Sequence, residues 1–513
     1  MKNLKIYTLL LVSACIAFSC DEEDKLINDI LVENPIPVVE DPTGEPGGLD
    51  LSVYVSLGAS ITAGTKDNAL YSHGQATSYP ALLAGQFAVD GVGGGAFNQP
   101  DINSANGYSG VDGTTIQGKY ILDLDLNNDG ELGDAGVVIS EGELPSAYEG
   151  DKTMLNNFGV PGIITAQILT PATGGPDVEA NPAYNALYAR FASAPGTSSI
   201  IKDAWDKDPT FFTLWAGGND VLGYAASGGA DPSRPLTDPA TVNAQVDMIV
   251  DSLLSKAGHG LILTVPNVLV LPYFQAVPRV ISVPEDSRTE LLAGIQQINA
   301  AIAGWNAAVA GSGMERPLLS TDMNEYPLVI EDASLSDASV PDGEGGTFVI
   351  PKVRNIDPDA HSVFGVSELI TLTASPKVSA GELGISPLAP LTNQYVLDFT
   401  EIAAILTNIQ TVNTNMGATA VANAGRIAVL ETFGLITEIA VSGGYDAGSY
   451  TLAPDFSPNG IYSNDGVHPN ARGCAIIANE IIKVLNKPVA EGGFGATIPL
   501  LDVMQYNASP FQQ

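Results

Sequence analysis

Short apolar runs rich in β-branched and aromatic residues alternate along this chain with long patterns of helical period. That alternation restricts the fold more than any other feature. The runs are 52–57 (SVYVSL), 211–216 (FFTLWA), 261–265 (LILTV) and 426–430 (RIAVL). Each has strand length, and each ends near a turn. Around them, 79–87, 242–254, 289–309, 400–414 and 471–485 carry apolar residues at helical spacing. Buried strands alternating with amphipathic helices predict a parallel α/β sheet. Ligands of such sheets bind beyond the carboxyl ends of the strands, so residues just after each run become functional candidates.

The folded body is expected over 49–513, in a chain of 513 residues. Two stretches exceed a minimal α/β layout: 92–152, rich in Gly, Asp and Asn, and 312–396, which mixes Pro, Gly and apolar patches. Insertions of this length act as functional covers or small subdomains. No internal repeat of fixed period is evident.

Residues 1–20 read as an export signal. Lys2 and Lys5 precede an apolar run over 6–18 that is too short to span a bilayer. It ends in Ala17-Phe18-Ser19-Cys20, followed by Asp21-Glu22-Glu23-Asp24. This layout resembles a bacterial lipoprotein signal, with Cys20 as the lipidated first residue, and the acidic run resembles a surface-export signal of Bacteroidetes lipoproteins. Residues 21–48, with Pro35, Pro37, Pro42 and Pro46, read as an extended tether. The resemblance implies an extracytoplasmic protein held at the outer membrane by its lipid alone. Of the three cysteines, Cys15 lies in the signal and Cys20 would carry lipid. Cys474 then stands alone, with no disulfide framework, and is expected to be a buried small hydrophobe.

With 58 acidic and 21 basic residues the net charge is −37. Such a field repels nucleic acid, which removes DNA and RNA as expected partners and leaves a small-molecule, lipid or carbohydrate ligand.

Three distant segments carry the parts of an acyl-transfer site. Ser60, in Gly58-Ala59-Ser60-Ile61-Thr62, follows the first apolar run through a glycine turn that would expose its hydroxyl. Thr62 replaces the second glycine of G-x-S-x-G, so this is not the α/β-hydrolase elbow. Asn219, in Gly217-Gly218-Asn219-Asp220, follows the second run and offers an amide to a developing oxyanion. Asp465 and His468, in Asp465-Gly466-Val467-His468-Pro469, supply a base and the carboxylate that would orient it. Asn470 can cap the helix that follows. His73, His259 and His361 lack an acid at matching spacing. The loop 157–162 (NFGVPG) could present a further main-chain N–H.

The order and spacing of these blocks resemble the SGNH (GDSL-type) hydrolases, named for their Ser, Gly, Asn and His. The likeness covers most of 50–487, with Gly466-Val467-His468-Pro469-Asn470-Ala471-Arg472-Gly473 its most specific part. Ala59 departs from it, standing where the family name has Asp. The resemblance implies a flavodoxin-like three-layer α/β/α sandwich with a parallel sheet of about five strands. It also implies metal-free ester hydrolysis through an acyl-enzyme on Ser60, with His468 as base and Asp465 as orienter. Ser60, Gly162 and Asn219 would form the oxyanion hole. Apolar inserts lean toward acyl-chain or lipid esters, with carbohydrate deacetylation as the alternative. The rival of another class is a non-catalytic surface lipoprotein binding glycans or lipids.

One further segment suggests a cation. Asp125, Asn127, Asp129 and Glu131 match the opening of a calcium loop, with Gly130 at its sharp turn. Gly136 occupies the position of the usual bidentate acid, which leaves two readings, a structural calcium in the insert or a plain acidic turn; no cofactor is expected for catalysis.

Overall fold

The computed structural model describes residues 42–123, 136–343, 345–359, 367–458 and 460–507. Gly44–Gln513 makes one compact unit. It includes residues read from sequence as the end of the tether: Gly44 N–H donates to Asp90 O and Gly48 N–H to Phe494 O, both at 3.0 Å. Cys20 and the expected calcium ligands Asp125, Asn127, Asp129 and Glu131 lie outside the described residues.

In chain order, the elements that build the site begin with β1 (Tyr54–Gly58), α1 (Ser60–Ala63) and α2 (Tyr79–Phe87). Next come β2 (Asn157–Gly159), β3 (Phe211–Trp215), α3 (Asn219–Ala226), α4 (Pro239–Leu254) and β4 (His259–Leu263). The remainder are α5 (Glu285–Ala308), α6 (Phe399–Ala422), β5 (Ile427–Leu430), α7 (Thr432–Ser442), β6 (Gly460–Tyr462) and α8 (Ala471–Asn486).

Strands β1 to β5 form a five-stranded, all-parallel sheet in the order β2-β1-β3-β4-β5. The helices pack as α2 on α8 and α4 on α6. The central strand β3 and its neighbour β1 are buried at every position. Covered parallel strands carry unbroken apolar runs for that reason. The strand order reverses direction between β1 and β3, and a crevice opens beyond the carboxyl ends of two such strands. Ser60 follows β1 and Asn219 follows β3, so the two residues flank that crevice.

The apolar core beneath the sheet is joined by two satellite clusters. One packs α5 (Ile295, Ile298, Ile302) against Tyr326, Ile350 and Val353; the other gathers Leu328, Ile330, Ile370 and Leu391. The stretches read as insertions contain short antiparallel ladders: 110–112 with 115–117, 121–123 with 136–138, 329–331 with 353–355, and 338–341 with 347–350. No helix among the described residues is long and apolar enough to cross a membrane.

Candidate active site

The turn after β1 is set by Gly58. A Cβ there would run into Thr62 Oγ1 and the Trp215 carbonyl oxygen, so only glycine lets α1 fold back so tightly onto the sheet. Ser60 opens α1, which ends at Gly64 with φ 93°. The serine is half-buried, and its hydroxyl has no hydrogen-bond partner among the described residues.

The oxyanion candidates come from the loops after β2 and β3. Val160 N–H donates to Gly58 O at 3.0 Å and draws the first loop onto the end of β1. Gly162 is exposed, with φ 78° and open space where a side chain would stand. Asn219 Nδ2 donates to Ile163 O at 2.9 Å, which ties the start of α3 to the Gly162 loop. Next to it, the buried carboxylate of Asp220 accepts from Thr165 N–H at 2.9 Å and Thr165 Oγ1 at 2.7 Å. Burial raises the Asp220 pKa against the pull of those hydrogen bonds.

His468 and Asp465 lie on the loop between β6 and α8. His468 Nδ1 donates to Asp465 Oδ2 at 2.8 Å. Asp465 Oδ1 accepts the main-chain N–H groups of Val467 and His468, each at 2.8 Å. Burial alone would raise this carboxyl. The charge of His468 and the hydrogen bonds from His468 and Val467 outweigh burial and hold it down at about 2. Asp465 is therefore ionised across the neutral range, which fixes the Nδ1–H tautomer and leaves Nε2 free to accept a proton. Nε2 has no hydrogen-bond partner among the described residues. The loop is closed by Ser463 N–H donating to His468 O at 2.8 Å. The helix after it is capped by Asn470, whose side chain accepts from Gly473 N–H at 3.1 Å.

Sequence reasoning missed the brace that joins the serine segment to this loop. Asn68 N–H donates to Asp465 Oδ2 at 2.6 Å. Asp67 Oδ1 accepts from Asn464 N–H at 3.0 Å and Asn464 Nδ2 at 2.9 Å, and Asp67 Oδ2 from Tyr71 OH at 2.9 Å. Asp67 N–H donates to Ser463 Oγ at 2.9 Å. Asp67 and Asn68 have φ 50° and 61°. The only local signal was the Asp-Asn pair itself, since these types tolerate left-handed backbone.

A cavity lies between several of these segments. It has a volume of about 90 Å³ and is bordered by Ser60, Gly218, Asn219 and both neighbours of His468, Val467 and Pro469. Five segments separated by up to about four hundred positions thus border one space, with Gly162 beside it through the Asn219–Ile163 bond.

The remaining candidates fall elsewhere. His73 is exposed, and His259 stacks edge-on against Phe494, with ring centroids 5.1 Å apart. His361 lies outside the described residues. Cys474 is buried, close to the buried Lys66, whose Nζ donates to Gly74 O at 2.7 Å. Among the described residues no group of three or more His, Cys, Asp or Glu side chains is placed to hold a metal ion. Neither protein-family models nor curated proteins give a match to this chain.

Proposed function

We propose that this chain is a serine carboxylic ester hydrolase of the SGNH type. The observation that carries the reading is the single cavity bordered by Ser60, Asn219 and both neighbours of the Asp465-held His468.

In the first half-reaction Ser60 Oγ bonds to the ester carbonyl carbon while His468 Nε2 takes the hydroxyl proton. The carbonyl π electrons move onto oxygen. The Ser60 and Gly162 N–H groups and the Asn219 amide stabilise that oxyanion. The intermediate collapses, the bond to the alcohol oxygen breaks, and the alcohol leaves with the proton from His468. Water then gives a proton to His468 and adds to the acyl carbon. Collapse releases the acid and returns the proton to Ser60. Ser60 Oγ and His468 Nε2 are not hydrogen-bonded to each other in the structure, and catalytic hydrogen bonds commonly tighten only when substrate arrives.

The test is Ser60→Ala on p-nitrophenyl butyrate, together with fluorophosphonate labelling of the wild-type chain. Turnover should vanish, and the label should sit on Ser60. Unchanged turnover would remove the proposal, and so would labelling at another residue. Attachment to an outer membrane through Cys20 is proposed on the sequence pattern alone. Cys20→Ser should release the protein from membranes and abolish fatty-acid incorporation.

A further inference from the structure

We propose that the cavity beside Ser60 is an acyl-chain pocket, so that the preferred esters carry an unbranched fatty acyl group. The proposal rests on the hydrolase reading above and narrows it to one substrate class.

The cavity is walled largely by aliphatic side chains, among them Leu271, Ile439, Ile461, Ile476 and Ile477. All five are buried. Two polar side chains of the lining are already committed. Thr62 Oγ1 bonds Tyr79 OH at 3.2 Å, and Trp215 Nε1 donates to Thr264 O at 3.1 Å. A sugar ring entering here would lose its hydrogen bonds to water and find few replacements, at about 1–3 kcal/mol for each unpaired hydroxyl. A methylene chain loses nothing and gains burial.

The cavity's position decides which side of the ester it receives. The alcohol must depart before water attacks, so it needs an open path. The acyl group stays bonded to Ser60 through both half-reactions, and a pocket sunk among core residues fits the part that stays. None of the lining residues comes from 92–152 or 312–396. The apolar surface expected of the insertions is supplied instead by the ends of β3 and β6 and by α7 and α8.

The experiment compares kcat/KM of the full chain on p-nitrophenyl acetate, butyrate and octanoate, and on ethyl octanoate against octyl acetate. The chromogenic series should rise by up to about fourfold for each methylene buried. Ethyl octanoate should exceed octyl acetate by at least about tenfold. Ile436→Trp, on the half-buried face of α7 that borders the cavity, should lower the octanoate-to-acetate ratio about tenfold. A flat or falling series, or equal use of octyl acetate, would overturn the pocket while fluorophosphonate labelling of Ser60 preserved the hydrolase. Loss of both labelling and turnover would remove the hydrolase reading and this one with it. If Ile436→Trp does not fold, the wild-type series decides alone.

Discussion

The main-chain N–H of Asn68 donates to Asp465 Oδ2 at 2.6 Å, across 397 positions of sequence. The same carboxylate oxygen receives His468 Nδ1. The segment that leaves the serine helix therefore helps hold the carboxylate that orients the histidine. Asp67 reinforces the joint from the neighbouring position through Asn464. Serine and histidine arrive from opposite ends of the folded body, and this contact couples their positions directly.

Asn68 is exposed and adopts φ 61°, so its contribution lies in its backbone conformation. Asn68→Gly should keep activity and stability within about 0.5 kcal/mol. Asn68→Val should cost about 1–3 kcal/mol in denaturant unfolding, because a β-branched residue resists that conformation. It should also slow fluorophosphonate labelling of Ser60. Equal stability and labelling for the two variants would show that the brace has no role.

Asn219→Ala removes the bond to Ile163 and, on the proposed mechanism, an oxyanion donor. We expect kcat to fall about 10²–10³-fold, with a much smaller change in KM, because the interaction strengthens as charge develops on the oxygen. Steady-state kinetics on p-nitrophenyl butyrate would check this. A rise in KM at constant kcat would assign Asn219 to ground-state binding.

Asp465 titrates at about 2 in the fold, against about 3.9 in an unfolded chain. A depressed carboxyl stabilises the fold above the unfolded value and loses that contribution as pH falls through the folded one. Between about pH 4 and pH 2 the wild type should therefore lose roughly 2 kcal/mol that Asp465→Asn never had. Urea unfolding of both proteins across that window would test the difference. At neutral pH the same variant should lower kcat about 10³–10⁴-fold through the wrong histidine tautomer.

Glu401 behaves in the opposite sense. Burial, opposed by the Asp398 N–H and aided by the Asp398 charge, lifts it to about 7. It closes the cap of α6, accepting Asp398 N–H at 3.0 Å. A raised carboxyl binds its proton more tightly in the fold, so stability is lost as pH rises from about 4.3 toward 7. Glu401→Gln retains an acceptor for the cap and carries no charge. Its Tm should fall less than the wild type's between pH 5 and pH 8, and parallel curves would refute the assignment.

The sheet was legible where its strands are buried. The runs at 52–57, 211–216, 261–265 and 426–430 overlap β1, β3, β4 and β5, because strands covered on both faces need continuous apolar residues. Strand β2 was not. Asn157-Phe158-Gly159 has little strand propensity and pairs only through its register with β1, Ser56 opposite Asn157. On sequence alone it reads as a loop for that reason. Gly162 was placed by resemblance, and its φ of 78° is a property of the folded chain.

The sequence by itself determined the parallel α/β sheet and the residue types at Ser60, Asn219, Asp465 and His468, because periodicity and local turn chemistry act over a few residues. Within Asp465-x-x-His468 even the hydrogen bond could be anticipated, since both partners share one loop. Tertiary structure decided the rest: the brace from Asp67 and Asn68, the reversal of strand order between β1 and β3, and the apolar cavity assembled from five separated segments. Those features depend on which distant surfaces meet when the core closes, and no local pattern encodes that meeting.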